Sequence, residues 1–487
     1  MALDEFRRMT KHDYLTDFSF LNGGVFPTAE MIDRASVYKF RRKEYSGEYA
    51  YEKRLIARVN GGAEETLPYK CISTNYFKLL TNKMSDLVFN TDISVKTGNA
   101  ETDRIVMRLV ERTGFVSSLR KAFKLCITEG DIYLKAYKGG ISVISPDKAV
   151  LVVDKHDINS IKGVVLFEHI TLNNMNYIRF EIHVSGGRIF EIVKEYTNAS
   201  IGESVPFTYR GRHIDKNGTW YESGVDACLV SKASINSEID GLYGESLFID
   251  IQDIVFALEQ RLSVNNSLLD SSMKPFLIVG MDMVETYEDD EGNEHKRLKL
   301  VDNGKLLISY DGDSNVKPVE LNYNLDASNE FIAVLKDHLY ELSEMGRCFL
   351  SGQYSGNISE ETLTNTIKSA IDKGNRLISE MYDAYVDSLY CLCRLNDIDV
   401  DRDSLTIVFN IGRTDDDMKV AEIAEKLINT GLMSKQSIRE KYFGYTAEQS
   451  EVEEKLIQKE KEPNDKQSDD IEKNDDKLIE VESNEDN

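Results

Sequence analysis

The chain is poor in the features that would tie it to a membrane, an export route or a familiar reaction. No run approaches the ~18 apolar residues of a spanning helix, although 41% of its 487 residues are hydrophobic. The opening stretch MALDEFRRMTKHDY has no apolar core of signal-peptide length, so no export is expected. Six cysteines (Cys71, Cys126, Cys228, Cys348, Cys391, Cys393) are too few and too scattered for a disulfide framework, and reduced thiols are the simpler reading. Basic residues are also in deficit: 84 acidic against 59 basic give a net charge of −25, which opposes high-affinity or sequence-reading DNA binding. From Tyr445 to Asn487 there are 16 acidic and 6 basic residues, so the tail carries −10 and the body the remaining −15.

Reactive constellations are missing as well. A phosphate-binding loop needs GxxxxGK[ST], and Gly304-Lys305 has neither the upstream glycine nor the following hydroxyl. Seven histidines form no HExxH or Hx3–5H pair. Cys391-Leu392-Cys393 lies within a helical run without a second pair and reads as packing. Asp397, Asp399, Asp401 and Asp403 imitate the start of a calcium loop, but Arg402 stands where glycine is needed and Val408 where the bidentate glutamate belongs. No GxSxG elbow occurs. No cofactor or metal site is expected, and an enzyme would need an acid pair without any local signature.

What is present is an ordered succession of elements, enough for two to four structural units of an α+β fold. Ala29–Tyr49, Tyr69–Phe89 and Thr102–Glu129, the last interrupted near Gly114, read as helices. From Asp131 to Val230, short β-rich runs alternate with turn formers such as Asn173-Asn174 and Gly186-Gly187, the spacing of an antiparallel meander. Arg179, Glu181 and His183 alternate with Ile178, Phe180, Ile182 and Val184, so one face of that strand should be wet. A helix is expected from Ser246 to about Ser271, then a small β insert whose hairpin tip is Glu288-Asp289-Asp290-Glu291-Gly292-Asn293-Glu294. Helix returns at Ala327–Arg347, with Phe331, Leu335, Leu339 and Leu342 on one side and Glu330, Asp337, Glu341 and Glu344 on the other. A loop, Gly352-Gln353-Tyr354-Ser355-Gly356-Asn357, then opens a helix that can run to Leu395. A strand in LTIVFNI, short helices from Asp415 to about Lys459 and a disordered acidic tail complete the expectation.

Three stretches carry a resemblance: YGESLFIDIQDIVFALEQRLSVNNSLLDSSMKPFLIVG (Tyr243–Gly280), the loop Ser351–Ser359 with the helix after it, and FNIGRTDDDMKVAEIAEKLINTGLMSKQSIREKYFG (Phe409–Gly444). Together, in this order, they resemble the portal proteins of tailed bacteriophages, particularly those of phages with Gram-positive hosts. The resemblance implies a wing at 1–245, a first stem helix at 246–273, a clip at 274–325, a second stem helix at 326–348 and a tunnel loop at 349–358. A long wing helix with its return strand (359–414), a crown (415–460) and an acidic tail (461–487) follow. It further implies a homo-oligomeric ring, typically of twelve subunits, at one capsid vertex of the virion, assembled in the bacterial cytoplasm, with double-stranded DNA passing non-specifically through its channel. Terminase (its large subunit) and head-completion or adaptor proteins would dock on the clip, at Glu288, Asp289, Asp290 and Glu291. Major capsid and scaffolding proteins are further implied partners, and no membrane is.

A lysine-lined wall would bind phosphate tightly by counterion release, whereas a carboxylate wall lets the polyanion slide. Glu330, Asp337, Glu341 and Glu344, or some of them, are therefore the candidate wall, and Gly352 to Asn357 the candidate DNA-touching loop. The rival reading is an oligomeric adaptor or minor capsid scaffold that conducts nothing.

Overall fold

The structure, a computed structural model, describes residues 14–48, 56–58, 64–66, 72–90, 93–157, 160–236, 242–272, 276–280, 284–288, 294–298, 305–309, 317–319, 325–347, 360–411, 424–431, 433–442 and 447–461. Helices α1 (Ala29–Ser46), α2 (Tyr76–Phe89), α3 (Ala100–Thr113) and α4 (Phe115–Glu129) occupy the N-terminal part. Thr28 Oγ1 accepts from Met31 N to begin α1. The break between α3 and α4 falls on Gly114, whose φ of +61° suits glycine, as the sequence indicated.

The expected meander is a seven-stranded sheet. Along its main path the strand order is 24–25, 200–204, 188–197, 175–184, 161–172, 149–153, all antiparallel, and 219–222 adds to 188–197. Two of its hairpins turn on the residues that marked them. Leu172 pairs with Met175 across Asn173-Asn174, both at positive φ, and Val184 pairs with Arg188 around Gly186 and Gly187. A three-stranded sheet (230–234, 131–137, 140–144) packs between α4 and a long later helix.

Helix α5 (Gln252–Ser272) leads into an insert. There, Phe276–Gly280 pairs parallel with Lys305–Ser309 and antiparallel with Lys317–Val319, and Val284–Glu288 forms a hairpin with Glu294–Leu298. Helices α6 (Asp326–Leu342) and α7 (Glu360–Leu395) follow, then the strand Thr406–Val408, α8 (Lys435–Tyr442) and α9 (Ala447–Lys461). The end of α7 at Leu395 is where the sequence put it. Phe77, Phe123, Ile132, Leu377 and Tyr385 lie in one core that joins α2, α4, the three-stranded sheet and α7. Each such fully buried large side chain contributes about 1.5–3 kcal/mol.

A close approach fixes where α5 begins. Gly130, at φ +91°, and Gly244 lie so near each other that a Cβ on Gly244 would come 2.3 Å from Gly130 O. Across that contact Asp131, fully buried, accepts from Tyr38 Oη (2.8 Å), Ser234 Oγ (2.7 Å) and Gly244 N (3.0 Å) and pairs with Lys232 at 2.9 Å. Residues 247–250 are then turns, and Ser246 Oγ accepts from Phe248 N while donating to Ile127 O. The helix expected from Ser246 accordingly starts at Gln252. Similarly, α2 starts at Tyr76 because α5 captures the preceding residues: Glu259 accepts from Thr74 N (2.7 Å) and Thr74 Oγ1 (2.9 Å), and Ile72 N donates to Ser263 Oγ.

Candidate functional site

Helices α5 and α6 pack side by side. Ile332 and Leu335 of α6 bury against Leu258, Ile254, Ala257 and Leu262 of α5, and Leu339 continues the stripe into the main core. Ser328 Oγ donates to Asn265 Oδ1 at 2.8 Å, and the Arg261 guanidinium lies 5.3 Å from the Phe331 ring centroid. At ~100° per residue, Glu330, Asp337 and Glu341 fall within about 40° of one another, directly opposite that buried stripe. All three are exposed. Phe331 and Leu342, each nearly half exposed, lie on one flank of the acidic stripe.

Glu344 stands apart from them. The helix expected to reach Arg347 ends at Leu342, because Glu344 (φ +56°) and Gly346 (φ +62°) both turn left-handed. The Glu344 carboxylate accepts from Arg376 of α7 at 2.8 and 3.0 Å and lies 3.5 Å from Lys373 Nζ. That lysine, buried, also donates to Ser343 O at 3.1 Å, a terminal carbonyl where the helix dipole is negative. Burial pushes the Lys373 ammonium down, opposed by Glu344. Burial also opposes ionisation of Glu344, but the Arg376 hydrogen bond and the Lys373 charge outweigh it and hold the carboxyl below its usual range. These contacts latch the end of α6 onto α7.

The candidate loop Gly352, Gln353, Tyr354, Ser355, Gly356 and Asn357 lies outside the described residues, as do Asp289, Asp290 and Glu291 of the hairpin tip; Glu288 ends the strand before it.

The wet face expected on the strand 175–184 is a correction. Glu181 and His183 are buried: Lys135 from the three-stranded sheet pairs with Glu181, and Arg179 beside them lies 4.5 Å from the ring centroid of Tyr209, in the hairpin Phe207–Tyr209/Arg212–Ile214. His183 Nε2 lies 2.8 Å from Glu181 Oε1, Lys135 pairs with Glu181, and Arg179 bridges Glu181 (3.0 Å) and Glu191 (3.1 Å). Burial opposes ionisation of Glu181, but the His183 hydrogen bond and the charges of Lys135, His183 and Arg179 win and keep its carboxyl well below the usual range.

Cys391 and Cys393 are both packed in the core; burial pushes their thiols to about 12. In the aspartate-rich turn, Asp397 (φ +59°) closes α7, Asp399 pairs with Arg394, and Arg402 binds Asp387 at 2.6 Å. Among the described residues no three His, Cys, Asp or Glu side chains come together as a metal would require. The latch escaped the sequence reading. Its signal was a lysine on an apolar stripe, since Lys373 sits among Ala370, Leu377 and Met381 at helical spacing.

Residues 28–467 match the family model described as "Phage portal protein, SPP1 Gp6-like". No curated protein sequence matches the chain. Among solved structures, a chain of "Virion of native gene transfer agent (GTA) particle" is similar at 9% identity and TM-score 0.39, with 74% of this chain and 88% of that one covered. Chains of "Neck of native GTA particle computed with C12 symmetry" (9% identity, TM-score 0.40) and "Neck of empty GTA particle computed with C6 symmetry" (9% identity, TM-score 0.42) are covered to 87%, each across 74% of this chain. With the family model spanning nearly the whole sequence, the chain belongs to the SPP1 Gp6-like phage portal proteins and is a structural, head–tail connector component of the virion.

Proposed function

We propose that copies of this chain close into a ring around a channel for double-stranded DNA, with α5 and α6 as its wall. The observation that carries this reading is the face of α6 that bears Glu330, Asp337 and Glu341 opposite its packing stripe. Carboxylates in that position repel phosphate at every register, so no register becomes a trap. Phe331 and Leu342 on the flank suit coverage by the neighbouring copy, since association favours burial of apolar area. Glu344 serves differently: it latches the helix end, immediately before the loop that holds Gly352 to Asn357, the candidate contact with DNA.

The insert between α5 and α6 is the docking part in this reading. Its hairpin 284–298, with Glu288 to Glu291 at and beyond the strand end, would meet the terminase large subunit during packaging and adaptor proteins afterwards. The β-rich N-terminal half would face major capsid and scaffolding proteins at the vertex. Hydrolysis of ATP belongs to the motor, which agrees with the missing phosphate loop.

Electron micrographs of the purified protein test the reading. A closed ring with a hole wide enough for a duplex is expected; open filaments, or a compact dimer, would favour a non-conducting adaptor instead.

A further inference from the structure

A second polar site lies in the β-rich part, away from α5 and α6. A cleft of about 540 Å³ opens between the strands 161–197, the hairpin 207–214 and the turn at 145–148. Its floor is the buried network, in which Lys135 and Arg179 offset Glu181 and Glu191. Even so, Arg179 Nε and Glu191 Oε2 are buried without a hydrogen-bond partner among the described residues. The rim is unbalanced. Among the described residues, Lys148, Arg210 and Arg212 are exposed there against Glu168 alone, whose carboxylate already accepts from Tyr209 Oη at 2.7 Å. Arg212 approaches Glu191 only at 3.5 Å, and Asp147 beside Lys148 is already taken by Arg42 at 2.9 Å. Arg210 sits in the tight turn at φ +48°, before Gly211 at +82°. Asparagine or glycine takes that conformation readily and arginine does not. The turn thus holds a guanidinium at the mouth of a net-positive cleft on a chain of net charge −25.

We propose that this cleft binds an acidic peptide, and that the occupant is the chain's own segment 462–487. Guanidinium forks match carboxylates in geometry and charge. Three rim cations cannot neutralise the many phosphates on which nucleic-acid affinity depends, and the acidic body repels a polyanion at a distance. The segment 462–487 carries 11 acidic and 3 basic residues, the counterpart of the rim. Fully extended, its 26 residues reach up to roughly 85 Å from the end of α9.

Carbodiimide coupling of the full-length protein, followed by peptide mass spectrometry, tests it. The reagent joins a lysine amine to a carboxylate in contact with it. An amide between Lys148 and a carboxylate of 462–487 is expected, and its yield should fall about tenfold or more in the Arg210→Glu, Arg212→Glu double variant. The ion pair Lys162–Asp154, at 2.8 Å and outside the lining of the cleft, is the internal control and should couple equally in both proteins. Control coupling without the Lys148 link, or a Lys148 link indifferent to the double variant, overturns the proposal. Displacement of the link by a short DNA duplex at physiological salt would overturn it in favour of nucleic acid.

Discussion

Replacing Glu330, Asp337 and Glu341 together by lysine should convert a wall that DNA slides along into one that holds it. From position 330 to 341, α6 rises ~16 Å, and a duplex presents about one negative charge per ~1.7 Å of axis, so roughly ten phosphate charges pass that band at any moment. Three lysines per subunit, repeated around a ring, are enough to engage most of them. Engagement of six to ten phosphates makes affinity fall about 10³- to 10⁵-fold between ~50 and ~200 mM salt. The variant ring should therefore retain duplex DNA at low salt, package slowly, and recover as salt rises, whereas the native ring stays indifferent. All three side chains are exposed and point away from α5, so stability should change by no more than about 0.5 kcal/mol. Lysines at Glu101 and Glu111, exposed on α3, are the control that adds positive charge away from α6 and should leave packaging unchanged. DNA retention by purified rings over a salt titration, with packaged genome length beside it, gives the readout. Absence of a new salt dependence in the triple variant refutes the reasoning.

Asp131→Ala leaves Lys232 buried without its carboxylate and should destabilise the fold by about 3–5 kcal/mol in a urea titration; a loss below about 1 kcal/mol would contradict a buried Asp131–Lys232 pair. Glu344→Gln should destabilise more than Arg376→Gln, because it strips the buried Lys373 of its nearest counter-charge, and Lys373→Met should relieve much of that loss; a double-mutant cycle with additive effects would exclude the latch. Burial raises the Glu44 carboxyl to about 7 despite Arg41 at 2.7 Å. Its folded value lies above its unfolded one, so its contribution is complete below pH ~4.5 and is lost as pH rises towards 7, at most about 3 kcal/mol. Melting between pH 5 and 8 should show that decline. Glu129, which burial also raises to about 7, adds to it, so Glu44→Gln should make the slope shallower without abolishing it; an unchanged slope speaks against the assignment.

Much of the architecture was legible because its signals are local. Gly114 between α3 and α4, Asn173-Asn174, Gly186 and Gly187 adopt the positive φ that such residues favour, and the long apolar stripe of α7 runs to Leu395 as its spacing indicates. The elements that departed from expectation depend on contacts distant in sequence. Alternation along 175–184 reports which residues share a face, not what meets it, and Lys135 and Glu191, distant in sequence, draw that face into a buried charge network. The start of α2 moved because Glu259 and Ser263, some 185 residues on, hold Ile72 and Thr74 outside the helix. Periodicity in α6 runs on through Glu344, yet the left-handed backbone there and the pull of Arg376 end the helix two residues earlier. The family itself was readable from the order of parts, and the match over residues 28–467 bears it out.

The most direct measurement is photo-crosslinking from position 337 of α6 in filled heads, with position 111 of α3 as reference. A lumen-facing acidic stripe requires the encapsidated DNA to be captured from 337 and not from 111. Equal capture at both positions, or none at 337, would contradict it.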